Sequence, residues 1–544
     1  MTLRTVHRPA LRIAAPPKSW LRVAVLAGIL LGLTTAACQR EVPPPQRRPD
    51  TPPAVAVDLD RVTNAVRERF DVPWQIDPIR VGDQVIHAPS ELTAFYVRRN
   101  HRPAWFDAAM GLPRADSLLQ ALSQADREGL APEDYHLVAI GGLIQTLRSG
   151  ALAGRASDPN AFADLDLLLS DAFVTYASHL REGRVDPLTF KPRWVANERK
   201  ADLPRLLEEV VASGGVAGAL RNLAPSHPGY ARLRQALSVY RSLSARGSWR
   251  AVASDSTLRK GDTGSAVAAA HARLIEIEEL SDSAHTGATF DEQLENEVRD
   301  FQRHHGLEPD GAIGAATLRE LNVPPAHRIR QMEANMERWR WLPADLGRRH
   351  ILVNIAGFTV ELFDDSRLVL STRAVVGRSA RRTPVFSDTM RYLVLSPYWH
   401  VPSGIAINDI VPAVRRDAAY LTRMRITVFT GSGADTRQVN PKGVDWAAVS
   451  RRNFPYRFRQ EPGPDNALGG VKFMFPNRFN VYIHDTPARA LFERAARDFS
   501  SGCIRIEKVV ELAQYLLRDQ GWTRERIEAA MAGPSEPARS WPPA

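Results

Sequence analysis

The chain has 544 residues and a formal net charge of +10 at pH 7. One hydrophobic core does not extend over that length, so we expect roughly three or four domains. The excess of Lys and Arg favours an anionic neighbourhood, such as phospholipid head groups or an acidic cell-wall polymer. The sequence has no compact basic block with interleaved aromatic residues, which argues against nucleic acid as a partner.

The N-terminal segment has the pattern of an export signal. Basic residues precede an apolar run from Val23 to Leu33, which is too short to span a bilayer. We predict an export signal over residues 1–38, followed by a Pro- and Arg-rich tether over residues 39–58. Cys38, directly after small residues, resembles the lipidation site of a bacterial lipoprotein. Ordinary cleavage that leaves this thiol unmodified is the alternative.

Residues 59–245 show helical spacing of apolar residues. The pattern predicts helices at Glu91–Arg99, with Ser90 as the N-cap, at Leu118–Glu128 and at Phe162–Glu182. No catalytic constellation is expected in this region, because its histidines are scattered singly and isolated histidines are mostly structural. These histidines are His101, His136 and His179.

A second helical unit is predicted over residues 256–324. Helices are expected near Ser265–Ile277, from Asp291, and after the Asp310-Gly311-Ala312-Ile313-Gly314 turn. The stretch resembles the three-helix peptidoglycan-binding module, and a plain helical spacer is the alternative. The adjacent His304 and His305 would point about 100° apart on a helix and cannot chelate one ion together. We therefore predict no metal and no cofactor.

Beyond residue 345 the pattern changes to β-branched and alternating residues, which predicts a mostly β domain over residues 345–530. An insertion at residues 403–468, helical at Asn408–Met424, is long enough to act as a lid over a cleft. A surface excursion without function is the alternative. Residues 531–544 are predicted to be a disordered tail. The predicted strands are Ile351–Ile355, Phe358–Phe363, Leu368–Val376, Arg391–Leu395, Val471–Phe475 and Val481–His484, with a hairpin turn at Asp364-Asp365-Ser366.

Cys503 is the principal candidate for chemistry. His484 ends a predicted strand 19 positions upstream (503 − 484), and a helix at Ala488–Arg497 is predicted between the two residues. A thiol and an imidazole are the minimum for thiol-based acyl transfer, and an imidazolium beside the thiol would lower its pKa. Gly502 allows close approach of the backbone, whose N–H groups would stabilise an oxyanion. Ordinary buried roles are the alternative for both side chains.

Two motifs carry a family resemblance. His484-Asp485-Thr486 with Ser500-Ser501-Gly502-Cys503-Ile504-Arg505 resembles the catalytic signature of the L,D-transpeptidases. Ser396–Pro402 and Asn466–Gly469 resemble the large periplasmic Gram-negative branch, which implies a multidomain α+β chain with a helical scaffold domain at residues 59–245. The resemblance implies that Cys503 is the nucleophile and His484 the general acid/base. It also implies that the backbone carbonyl of Asp485 orients His484.

Four further residues are candidates for substrate binding. Arg505 suits a substrate carboxylate, although a structural ion pair is the alternative. Ser501 stands where many relatives have histidine, so the role of that histidine does not transfer. Trp399 and His400 are expected to line the cleft or to pack in the core.

The resemblance implies a cysteine acyltransferase of the EC 2.3.2 type that acts in the periplasm on peptidoglycan. It would cross-link tetrapeptide stems between their third residues and so serve cell-wall organisation and cell shape. Three alternatives stay open: an L,D-carboxypeptidase, an enzyme that attaches a lipoprotein to peptidoglycan, and a wall-binding scaffold without catalysis. Cell-wall synthesis enzymes and, through Cys38, a membrane lipid anchor are the further expected partners.

Overall fold

The structure is a computed structural model, and it describes residues 57–533 and 539–540 except for short gaps. The predicted export signal, nearly all of the tether and most of the predicted tail lie outside the described residues. Within the described part, no helix combines the length and apolarity needed to cross a membrane. The gaps are residues 72–73, 75–76, 108–111, 153–157, 190–193, 196–200, 248, 279–286 and 344.

The first region is a helical domain. Its long central helix has buried residues around most of its circumference, and Gly183, with φ +91°, follows its end. Short strands also occur in it, namely β1 (Arg80–Val81), β2 (Gln84–Val85) and β3 (Trp194–Val195). The helices are α1 (Leu59–Glu68), α2 (Pro89–Arg98), α3 (Pro113–Leu122), α4 (Leu137–Leu152), α5 (Pro159–Arg181, the central helix), α6 (Leu203–Ser213), α7 (Val216–Leu223) and α8 (Pro228–Ala245).

The start of α2 differs from the sequence prediction. Ser90 lies inside the helix and does not cap it, because α2 already begins at Pro89. The buried carboxylate of Asp171, on α5, accepts hydrogen bonds from the backbone N–H groups of His87 (3.0 Å) and Ala88 (2.8 Å) just before the helix. A carboxylate 84 residues further along the chain thus holds the segment that leads into α2, a contact that the local sequence does not indicate.

The second region is a three-helix module, as predicted. It contains α9 (Ser265–Glu278), α10 (Glu292–His304) and α11 (Ala315–Leu321), and the Asp291 side chain caps α10 at the N–H of Leu294 (2.9 Å). These helices enclose their own apolar core. The following helix α12 (Pro325–Arg340) packs along α8 and so connects the module with the first region.

The C-terminal region is built on an eight-stranded sheet with the order β16-β8-β13-β14-β15-β6-β5-β4. Helices α16 (Val509–Leu517) and α17 (Arg524–Ala532) contribute to the core on one face. The predicted multidomain α+β class is confirmed. The strands of this sheet are β4 (Arg349–Asn354), β5 (Thr359–Asp364), β6 (Arg367–Val375), β8 (Tyr392–Leu395), β13 (Val471–Met474), β14 (Ile483–His484), β15 (Ile504–Ile506) and β16 (Arg539–Ser540); β7 (Val385–Phe386) pairs with β3 instead.

Two local predictions at the sheet have opposite outcomes. The hairpin turn between β5 and β6 is confirmed, with positive φ at Asp365 and Ser366 (+48° and +62°). The tail is not entirely irregular, since β16 pairs with β8. Edge pairing of two residues leaves no periodicity in the sequence, so the pattern could not predict it.

The insertion is a folded unit with its own apolar core. Its strands form a second sheet, with the order β11-β10-β12-β9. The predicted continuous helix from Asn408 to Met424 is wrong: the chain is extended at Asp417, whereas Pro412 is tolerated in the first turn of a helix. The elements are β9 (Trp399–His400), α13 (Ser403–Ile405), a π turn (Ala406–Ile410), α14 (Val411–Arg416), α15 (Tyr420–Arg423), β10 (Ile426–Thr430), β11 (Arg437–Val439) and β12 (Tyr456–Gln460).

The helix predicted between His484 and Cys503 is also largely absent. Only Arg489–Glu493 forms a short 3-10 helix. Beyond it the backbone runs alongside the end of β6, where the N–H of Val376 donates to the carbonyl of Arg497 (2.9 Å) and the N–H of Ser500 donates to the carbonyl of Val376 (2.8 Å). Pairing with a neighbouring strand overrides the helical spacing of apolar residues.

Candidate active site

The site is built on two adjacent parallel strands, β14 and β15. Their register pairs Ile483 with Ile504 and His484 with Arg505. Because side chains alternate along a strand, the isoleucines enter the core and their neighbours share the opposite face. That face carries Tyr482, His484, Cys503 and Arg505. Residues 19 positions apart in the sequence thus lie on one surface, with His484 diagonal to Cys503.

His484 is buried, and its ring is held by the backbone. Nδ1 lies 2.5 Å from the carbonyl oxygen of Asp485, the contact that the family resemblance implies. Burial, with a smaller contribution from the positive charge of Arg505, lowers the pKa of His484 to about 3. The imidazole is therefore neutral at physiological pH.

Cys503 is a half-buried free thiol. Burial raises its pKa, and hydrogen bonding to Tyr482 together with the charge of Arg505 opposes this shift only in part. Its Sγ lies 3.8 Å from the carbonyl oxygen of Asn480, and among the described residues no hydrogen bond joins it to His484. The prediction of an imidazolium that lowers the pKa of the thiol is wrong for this conformation, because burial keeps both the imidazole and the thiol neutral.

The loop before Cys503 is held by hydrogen bonds. Gly502 has φ +122°, which favours glycine, and its carbonyl accepts a hydrogen bond from the Thr383 hydroxyl (2.9 Å). The Gly502 N–H donates to Ser500 Oγ (3.1 Å), so it is not available as the expected oxyanion donor in this conformation. The N–H of Cys503 itself donates to no described residue and is the better placed donor.

Ser501 connects this loop with the insertion. Its exposed Oγ accepts a hydrogen bond from Arg381 Nη1 (3.0 Å). The same guanidinium forms an ion pair with Asp409, in the π turn of the insertion. The Ser501 side chain is thus part of a polar bridge from the loop before Cys503 to the insertion.

Arg505 has no anionic partner among the described residues. Its guanidinium is half-buried, and Nε is buried without a hydrogen-bond acceptor. Burial lowers its pKa. A buried cation without a counter-ion is costly unless a ligand supplies the negative charge.

Sequence reasoning missed two members of this surface, Tyr482 and Lys472. The Tyr482 hydroxyl is hydrogen-bonded to Cys503 and Trp399, and burial raises its pKa. Lys472 pairs across from His484 on β13, and burial lowers its pKa. The two-residue period of Tyr482-Ile483-His484 was the available signal for Tyr482. No signal in the sequence indicated the pairing of Lys472.

Trp399 and His400 enter the site from β9, on the insertion sheet. Trp399 is half-buried and reaches the Tyr482 hydroxyl, as a residue lining the cleft would. His400 is largely exposed, and partial desolvation of its ring together with nearby cations, first among them Lys472, lowers its pKa. The fold and the site together define a β-rich domain with a cysteine and a histidine on one strand face.

Comparisons with known families agree with this description. Residues 348–525 match the L,D-transpeptidase catalytic domain, residues 90–237 match a scaffold domain, and residues 263–321 match the family described as "Putative peptidoglycan binding domain". The chain thus contains an L,D-transpeptidase catalytic domain preceded by these two accessory domains.

Individual relatives cover part of the chain. A Haemophilus influenzae protein named "Putative L,D-transpeptidase" is 36% identical over 227 residues, which are 41% of this chain and 44% of that protein. The chain therefore matches less than half of that relative. A crystal structure of the L,D-transpeptidase (residues 123-326) from Xylanimonas cellulosilytica is 13% identical and covers 50% of this chain and 95% of that chain. Its TM-score of 0.15 adds nothing to the assignment.

Proposed function

We propose that the protein cross-links peptidoglycan by two-step acyl transfer through Cys503. The thiol sulfur attacks the carbonyl carbon that precedes the terminal D-alanine of a tetrapeptide stem, the C–N bond breaks, and an acyl-thioester forms. The side-chain amine of a diamino acid in a second stem then attacks the thioester and releases the thiol. The new amide bond joins the third residues of the two stems. The observation that carries this proposal is the common strand face of Cys503, His484 and Arg505.

His484 is the proton carrier in this proposal. Because Nδ1–H is held by the Asp485 carbonyl, Nε2 is the atom that takes a proton. The thiol and the imidazole are both neutral at rest, so the proton moves from Sγ to Nε2 as the sulfur attacks. It then passes to the departing D-alanine amine. Hydrolysis of the thioester would use the same atoms with water as the acceptor.

Two features of the site suit the donor stem. The Cys503 N–H, which donates to no described residue, is directed to stabilise negative charge on the carbonyl oxygen during attack. Arg505 would hold the terminal carboxylate of the D-alanine, because a guanidinium binds a carboxylate through two parallel hydrogen bonds. This carboxylate would supply the counter-ion that the described residues lack.

Transfer and hydrolysis differ in whether an amine reaches the thioester before water. The insertion favours transfer, because it is a folded unit with its own core that contacts the site through Trp399 and Asp409. A wall of this kind excludes water and orients an acceptor. An L,D-carboxypeptidase and attachment of a lipoprotein lysine are the alternatives that the same thioester allows. We also propose export to the periplasm; Cys38, the expected anchor, lies outside the described residues.

The decisive experiment incubates the purified chain with a disaccharide-tetrapeptide and follows the products by mass spectrometry. Release of D-alanine together with dimers supports the proposal, and D-alanine with tripeptide alone identifies a carboxypeptidase. Cys503→Ser serves as the control and should abolish both products while the unfolding temperature stays unchanged. Absence of D-alanine release from the unaltered chain would overturn the catalytic proposal. A lysine peptide added as a competing acceptor tests lipoprotein attachment.

A further inference from the structure

The scaffold domain contains a cluster of metal-ligand side chains that belongs to no site described above. His87, His136 and Asp171 each offer one ligand atom, and these atoms all lie within 4.8 Å of one another. His136 and Asp171 are buried, whereas the side chain of His87 is 48% exposed. The cluster is therefore open to solvent on one side only, the side of His87.

The distances within the cluster approach those of a coordination shell. Asp171 Oδ2 lies 2.7 Å from His136 Nε2 and 3.6 Å from His87 Nδ1. Ligand atoms at 2.0–2.2 Å from a tetrahedral ion are about 3.3–3.6 Å apart, a range that the longer of these two distances reaches and the shorter falls below. The two rings are stacked with centroids 4.9 Å apart, and the exposed ring of His87 can rotate to complete the shell.

Surrounding groups hold the two buried ligands in place. His136 Nδ1 lies 2.9 Å from Gln84 Oε1, and the amide of Gln84 is itself oriented by donation from Nε2 to Asp83 (2.9 Å). Nδ1–H is thereby retained, and Nε2 is directed into the cluster. The other oxygen of Asp171 accepts a hydrogen bond from the N–H of Ala88. Metal-binding histidines and carboxylates typically have such outer partners.

The backbone at His136 supplies a further observation. Its φ of +54° lies in the left-handed region, which costs free energy for a residue with a side chain. This conformation places the imidazole against Asp171, 35 residues further along the chain. A strained backbone that presents a ligand atom is more common at functional sites than elsewhere.

We propose that His87, His136 and Asp171 bind a divalent transition-metal ion such as Zn²⁺, with water at the fourth position. The ion takes the place of the hydrogen bond between His136 Nε2 and Asp171, and any proton displaced from the ligands leaves to solvent. Two imidazoles and one carboxylate select Zn²⁺, Ni²⁺ or Cu²⁺ over Mg²⁺ and Ca²⁺, which prefer oxygen ligands. This proposal revises the prediction of no metal and of a purely structural His136.

The ion would stabilise the scaffold domain and take no part in acyl transfer. Its ligands come from the segment before α2, from the residue before α4 and from the middle of α5. Binding to the folded state alone raises the unfolding temperature by mass action. The domain that supports the catalytic region would thereby respond to the supply of metal.

The test is calorimetric titration of Zn²⁺ into the chelator-treated, tag-free Cys503→Ser chain, since the thiol would otherwise compete for zinc. We expect one tightly bound Zn²⁺ per chain, a rise in unfolding temperature and no comparable binding of Mg²⁺. His87→Ala should weaken binding at least tenfold and leave the metal-free unfolding temperature unchanged, because this ring is exposed. His327→Ala, which removes an exposed histidine on α12, is the matched control and should change neither value.

A second variant tests the outer partners. Gln84→Ala removes no ligand but releases His136 Nδ1, so zinc affinity should fall by about 10- to 100-fold. Equal affinity in the unaltered chain, His87→Ala and Gln84→Ala would show that zinc binds elsewhere and would overturn the proposal. Absence of stoichiometric binding at about 0.1 mM Zn²⁺ would overturn it as well, because the affinity would then be no higher than that of a single surface histidine.

Discussion

Buried polar groups are used differently in the scaffold domain and on the catalytic sheet. In the scaffold domain, the Asp166 carboxylate accepts hydrogen bonds from the N–H groups of Ala104 (2.8 Å) and Trp105 (2.9 Å) and from the Tyr96 hydroxyl (2.7 Å). On the catalytic sheet, the buried Nε of Arg505 has no acceptor among the residues that the structure describes, and burial disfavours the charged forms of Cys503 and His484.

This difference in hydrogen bonding indicates which buried groups stabilise the fold and which serve the proposed chemistry. A buried carboxylate with several donors ties distant segments to one helix, so its loss leaves several groups unsatisfied. The Arg505 guanidinium, which has no anionic partner among the described residues, joins no distant segments in this way and can bind an anionic ligand. Substitutions in the scaffold domain should therefore reduce stability, and those on the catalytic face should reduce activity alone.

The largest effect is expected for His484→Gln, which removes the proton carrier. D-alanine release should fall by about 10²- to 10⁴-fold, since glutamine cannot accept the thiol proton. A stopped assay with the tetrapeptide substrate measures this, and circular dichroism reports whether the fold is retained. Activity within threefold of the unaltered chain would show that another group carries the proton.

Asp166→Ala tests the other half of the comparison. The Tyr96 hydroxyl and two backbone N–H groups would lose their acceptor, so the free energy of unfolding should fall by about 3–5 kcal/mol, since an unsatisfied buried donor costs about 1–3 kcal/mol. Urea denaturation measures this. Asp158→Ala, which removes only the exposed N-cap of α5, is the matched control and should cost about 1 kcal/mol. Equal losses would mean that the buried network adds nothing.

Arg505→Gln should raise the KM for the tetrapeptide about 10- to 100-fold, because the substrate carboxylate loses its charged partner. The unfolding temperature should stay the same or rise, since an uncompensated buried charge is removed. A large drop in unfolding temperature with unchanged KM would instead assign Arg505 a structural role, and the contrast with Asp166 would disappear.

The pH dependence of stability gives a further contrast. The pKa of His484 is about 3 in the folded protein and near 6.5 when unfolded, so the unfolded chain binds more protons between these values. Stability from the neutral ring is complete above pH 6.5 and declines as the pH falls towards 3. Between pH 7 and 5 the unaltered chain should lose about 2 kcal/mol more than His484→Gln. Parallel losses in urea titrations would contradict the low pKa.

The smallest effect is expected at the bridge to the insertion. Asp409→Asn removes the charge that pairs with Arg381 and so loosens the contact between the insertion and the nucleophile loop. We expect the ratio of hydrolysis to transfer to rise by about two- to fivefold, as exposed ion pairs contribute up to about 1 kcal/mol. Asp417→Asn, in the same insertion and paired with Arg423, should leave the ratio unchanged.

Much of the architecture could be predicted from local pattern. The spacing of apolar residues predicted α5, the helices α9 to α11 and the catalytic strands to within a few residues. The turn at Asp365 and Ser366 followed from residue type alone. The periods of helices and strands are local properties of the sequence, so these elements can be predicted without knowing which segments pack against them. Cys503 and His484 were identified for the same reason, since their motif is short and contiguous.

Other features depended on pairing across the fold. The segment after His484 has the apolar spacing of a helix, yet only Arg489–Glu493 is helical, and Arg497 and Ser500 are hydrogen-bonded to the chain just beyond β6. Asp171 takes the donors at the start of α2 and meets His136 and His87, from which it is 35 and 84 residues distant. No local pattern contains those separations, because a hydrogen bond is satisfied by whichever acceptor the fold brings near.

The sequence by itself predicted the order of the domains, most of their elements and the two residues, Cys503 and His484, on which the proposed chemistry rests. Only the tertiary structure decided that the thiol and the imidazole are neutral at rest, that the Gly502 N–H is engaged by Ser500 and that no described residue supplies an anion to Arg505. The physical reason is that pKa values and unsatisfied charges depend on burial, which groups far apart in the sequence create together.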